Sequence, residues 1–65
     1  MAYKDAIKML RAKMIVTQTE LADLLGVRFG TVNRWEAGAY EPTIKSKRKL
    51  DPLFKKYGIE VEEKI

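Results

Sequence analysis

An all-α fold of four to five short helices is what this 65-residue sequence predicts, and three features carry the prediction. Apolar residues recur at three- and four-residue spacing rather than in alternation. Gly26, Gly38 and Gly58 each close an apolar stretch, at points where a helix stops and the chain turns. Thr17, followed three residues later by Glu20, spells the capping box of a helix N-terminus. A chain of this length forms one domain with one small core.

The first helix is expected over Tyr3 to Met14, where Ile7, Leu10 and Met14 line one face. Ile15 and Val16 are β-branched and lead into Thr17, so the second helix begins at Gln18, turns Leu21, Ala22 and Leu25 inward and stops at Gly26. A third helix runs from Arg28 to Glu36, with Val32 and Trp35 three apart and Gly38 as its terminator. A fourth follows Pro42 from Thr43, its apolar stripe made by Ile44, Leu50, Leu53, Phe54 and Tyr57. Pro52 interrupts that stripe. A kink or a split is expected there, with Asp51 as a fresh N-cap and Pro52 at the first helical position. The domain is read as residues 1–58 and the acidic tail as 59–65, where Ile59, Val61 and Ile65 alternate with acids and fraying is favoured over an edge strand.

Composition excludes much. There is no Cys and no His, so disulfides, thiol nucleophiles, zinc-finger ligands and the commonest general base are absent. No metal site, cofactor or small-molecule effector is expected, and Ser46, the one serine, has no His to activate it. An enzyme is the remotest reading. No apolar run is long enough for a membrane span or a signal peptide, and the expected location is cytoplasmic.

Thirteen Lys plus Arg against nine Asp plus Glu give +4, which favours a polyanionic partner. The charge is uneven. Residues 44–58 hold six basic side chains against Asp51 alone, whereas residues 1–43 hold six basic against five acidic. By itself the basic run reads first as the solvated face of an ordinary amphipathic helix, ahead of a binding face.

The second and third helices, joined by a short turn containing Gly26, form a helix-turn-helix. TQTELADLLGV followed by TVNRWEAG and Pro42 resembles the lambda repressor and Cro type of helix-turn-helix, the XRE family, over roughly residues 3–57. Gln18, Leu21, Ala22, Gly26, Val27, Val32, Trp35, Glu36 and Gly38 fall in register together. The resemblance implies a compact four- to five-helix bundle that binds double-stranded DNA as a transcriptional regulator, with repression the commoner role. It also implies that the third helix is the recognition helix, lying in the major groove.

Site residues follow position by position. Arg28, Phe29, Gly30, Asn33 and Arg34 are the candidates for base contact: Arg28 or Arg34 suits guanine, Asn33 suits adenine, and Phe29 suits a thymine methyl or, equally, a packing role. Gly30 weakens the helix and allows close approach. Gln18 resembles the family's phosphate-anchoring glutamine. Thr31, Tyr40, Thr43, Lys45 and Lys47 are the other phosphate candidates, with Ser46, Arg48 and Lys49 beside them. Trp35 is placed in the core. Arg11 and Glu36 stand where the family commonly has a structural ion pair. Arg28 departs from the family's usual Ser or Thr and has no acceptor oxygen with which to cap the third helix.

Useful affinity from so small a domain implies a homodimer on two half-sites. No dimerisation element is visible in the chain. The competing reading is an interaction module of the same fold, of the antitoxin kind, in which DNA binding is secondary.

Overall fold

Tyr3–Met14 is α1, Gln18–Leu25 is α2, Phe29–Ala37 is α3 and Ile44–Lys56 is α4 in the computed structural model, which describes residues 1–61. No strand occurs among the described residues. Local chemistry accounts for most of the helix ends. Asp5 stands in the first turn of α1 and Arg11 and Lys13 in its last, each complementing the helix dipole. Thr17 Oγ1 accepts from the Glu20 N–H at 3.1 Å while Glu20 Oε1 accepts from the Thr17 N–H at 3.0 Å, completing the capping box of α2. Gly26 and Gly38 close α2 and α3 at φ 69° and 77°, a backbone that side chains other than glycine adopt with strain.

α1 ends differently. Its C-cap is Ile15, with φ 57°, a left-handed conformation that is unusual for any β-branched residue. The side chain is 88% exposed, so no packing offsets the strain.

One core joins the helices. Tyr3, Ala6, Ile7 and Leu10 of α1 meet Leu21, Ala22 and Leu25 of α2, Val32 and Trp35 of α3, and Leu50 and Phe54 of α4. α3 packs most extensively against α2 and α1, which fixes its buried face and therefore the direction of its exposed one.

Three sequence expectations need correction. α4 does not split at Pro52 but runs as one helix, and Asp51 does not act as an N-cap; it pairs instead with Lys55 Nζ at 3.2 Å. Pro52 has no N–H for the carbonyl of Arg48, but it lies on the exposed face, while Leu50 and Phe54 anchor the helix on either side of it. Ile44 is not part of the buried stripe: it is exposed, and Ser46 takes the inward position. The chain beyond Gly58 does not fray at once. Gly58 turns it at φ 69°, Ile59 enters the core and Val61 packs against it. Ile65 lies outside the described residues.

Candidate nucleic-acid interface

The exposed surface of α3 follows from its helical phase. Val32, Trp35 and Glu36 are buried, so Phe29, Asn33 and Arg34 are turned outward, with Gly30 partly covered between them. Arg28, the N-cap, is also exposed and makes no side-chain cap bond; the first turn is closed by backbone bonds to its carbonyl. Phe29 is half exposed, at 51%, so the fold covers only part of it.

Behind this surface lies a polar network. Arg11 grips the Glu36 carboxylate with two parallel bonds, Nε to Oε2 and Nη2 to Oε1, the latter at 2.8 Å, and also reaches the Val16 carbonyl. Gln18 Nε2 donates to Glu36 Oε1 at 3.1 Å, and Gln18 Oε1 accepts from Asn33 Nδ2 at 3.3 Å. The chain of bonds thus leads from α1 through the end of α3 and the start of α2 to Asn33 on the outward face of α3. Burial alone would raise the Glu36 pKa, yet the bonds from Arg11 and Gln18, with the charges of Arg11 and Lys8, outweigh it and hold the carboxyl below its ordinary value. The bond to Glu36 in turn raises Arg11, against the opposing effect of burial. Among the described residues no buried side-chain nitrogen or oxygen lacks a hydrogen-bond partner.

The loop before α4 borders the same face. Thr31, Arg34, Trp35, Tyr40, Glu41 and Thr43 line one shallow groove, so the outward face of α3 and the start of α4 are contiguous. Tyr40 is exposed, and Thr43 Oγ1 accepts from the Ser46 N–H at 3.3 Å to cap α4.

A helix-turn-helix family model matches residues 7–63, nearly the whole chain. The chain belongs to the XRE-type helix-turn-helix family of DNA-binding domains. It is 44% identical over 51 residues, 78% of this chain and 72% of the relative, to a protein of Archaeoglobus fulgidus described as an uncharacterized HTH-type transcriptional regulator. No solved structure matches the chain significantly.

Within this XRE-type domain the structure brings Arg28, Phe29, Gly30, Asn33 and Arg34 onto one end and face of α3, and Arg11 against Glu36. It treats the phosphate candidates unequally. Gln18 does not simply face outward; its amide is drawn sideways between Glu36 and Asn33, leaving one of its two N–H groups unused by the network. Lys45 is exposed one residue into α4. Lys47 is half-buried, its ammonium 4.9 Å from the Tyr3 ring centroid in a cation–π contact. Ser46 is buried and engaged with Thr43.

Lys49 has another task altogether. Its Nζ donates to the Leu25 carbonyl at 2.8 Å, closing the C-terminus of α2 beside Gly26. No local signal reveals that bond, because 24 residues separate the partners. Lys8 was also missed as a neighbour of Glu36. Its place three residues before Arg11, on the same helix face, was the available clue. No helix among the described residues is long and apolar enough to cross a membrane.

Proposed function

We propose that this XRE-type domain reads a specific double-stranded DNA sequence as a transcriptional regulator and represses by occupying its site. α3 enters the major groove, with Arg28, Phe29, Gly30, Asn33 and Arg34 at the base edges. The N-termini of α2 and α4 straddle it on the phosphates through Gln18, Thr43 and Lys45, joined by Thr31 of α3 and Tyr40 of the loop before α4, with Lys47 reaching the backbone once it leaves Tyr3. A homodimer on two half-sites about one helical turn apart supplies the affinity one module lacks.

The observation that carries this reading is the outward face of α3, where a half-exposed Phe29, Asn33 and Arg34 stand together while Val32, Trp35 and Glu36 hold the helix down. Asn33 is, moreover, already oriented by Gln18. Fluorescence titration with random duplex across a salt series, followed by selection of bound sites from a random pool, tests it. The expected result is a log–log salt slope of about −0.9 per phosphate contacted and a selected site with two-fold symmetry. Absence of duplex affinity at low salt refutes the reading and favours a protein-interaction module.

A further inference from the structure

Gly30 is a helical residue with no reason for being glycine inside the protein. Its φ lies outside the left-handed range, and a Cβ built on it meets nothing within 4 Å. Alanine there would favour the helix, since glycine loses more backbone entropy than alanine on being fixed in a helical conformation. Its neighbour Phe29 is equally unaccounted for by the fold, being half exposed at the first turn of α3. Together they put a half-exposed aromatic side chain next in sequence to a stretch of helix backbone whose Cβ direction is open space. Asn33 and Arg34 stand one turn further along the same face, Asn33 held by Gln18.

We propose that Phe29 and Gly30 together read the 5-methyl group of a thymine in the major groove, making these two residues a specificity-determining pair. This rests on α3 lying in that groove. The thymine methyl is the one apolar group that base pairs present there, and it can be enclosed by an aromatic side chain and a helix backbone without a Cβ. The flanking polar residues suit a duplex rather than an apolar protein groove, because they present amide and guanidinium donors to the acceptor-rich edges of neighbouring bases.

The test replaces each thymine of the selected duplex, one at a time, with uracil, which keeps every hydrogen-bonding group and removes only the methyl. For the unmodified chain, one position in each half-site is expected to weaken about three- to five-fold, the effect of exposing one methyl-sized group. Phe29→Ala should bind the thymine and uracil duplexes equally. Gly30→Ala separates contact from structure, since it should weaken binding while leaving the melting temperature unchanged or higher. A selected site without a responsive thymine, a thymine preference that survives Phe29→Ala, or full affinity in Gly30→Ala would overturn the proposal while leaving DNA binding intact. Loss of all duplex binding by the unmodified chain would instead refute the functional reading beneath it.

Discussion

Replacing Arg11 with Met keeps the aliphatic stem but strands the carboxylate of Glu36, which is only 6% exposed. Two charge-assisted bonds disappear and one remains, from Gln18. Breaking a buried pair from one side commonly costs about 3–5 kcal/mol. The lower end applies here, because Arg11 itself keeps about a quarter of its side-chain surface in solvent, at 26%, and Lys8 still lends positive charge. About 3 kcal/mol in a domain of this size lowers Tm by roughly 12–24 °C. The pH dependence makes the test specific. In the unmodified chain the Glu36 pKa lies below its ordinary value of 4.5, so the pair's contribution is complete above that value and is lost as pH falls through the depressed one. In Arg11→Met burial dominates and the carboxyl pKa rises, so the variant relieves its buried charge by taking up a proton at a higher pH. The Tm gap between the two proteins therefore narrows as pH falls from 7 towards 4, as thermal unfolding monitored by circular dichroism would show. Adding Glu36→Gln to Arg11→Met should recover part of the loss at pH 7. An unchanged Tm, or a gap that does not depend on pH, refutes the reasoning.

The strained cap of α1 gives a prediction of opposite sign. Ile15→Gly relieves a left-handed β-branched residue and forfeits almost no burial, so it should stabilise by about 1 kcal/mol, raising Tm by roughly 4–8 °C; a lower Tm would show that the exposed side chain is used within the fold. Lys49→Met removes the ammonium that closes the α2 C-terminus. It should lower stability by about 1 kcal/mol in thermal melts yet leave the salt slope of DNA binding unchanged, and a shallower slope would return Lys49 to the phosphate contacts.

The first three helices were legible because their boundaries are written locally. A capping box, two glycines and the three- and four-residue spacing of Leu21, Ala22, Leu25, Val32 and Trp35 need no knowledge of distant contacts. The inward placement of Ile44 failed on an angle that the sequence did contain. At about 100° per residue, the six residues from Ile44 to Leu50 leave the two some 120° apart, whereas the four from Ser46 to Leu50 leave about 40°, so Ser46 belongs to the buried side. The burial of Ile59 was less accessible, since it depends on Gly58 turning the chain back towards Tyr3, more than fifty positions earlier. Pro52 misled because propensity is a local term, and the tertiary anchors at Leu50 and Phe54 override it. At the interface, the outward set on α3 followed from helical phase, but the network that orients Asn33 did not, because it joins side chains on three helices.

The basic run of residues 44–58 is less of a DNA-binding surface than its charge suggests. Lys47 lies over Tyr3, Lys49 closes α2, Lys55 pairs with Asp51 and Lys56 lies over Tyr57. Four of its six cations therefore have work within the fold. A lysine held by a carbonyl or a ring must give up that contact to meet a phosphate, which reduces its net contribution to affinity. Lys45, exposed beside the groove that Thr43 shares with α3, is the member of the run best placed to act first. On the proposed DNA-binding reading, discrimination between sites then falls to the short face of α3 rather than to the net charge. That face is backed by the Arg11–Glu36 ion pair, whose carboxylate accepts from Gln18, while Gln18 in turn accepts from Asn33; in the function we propose, the pair therefore positions Asn33 without itself touching DNA.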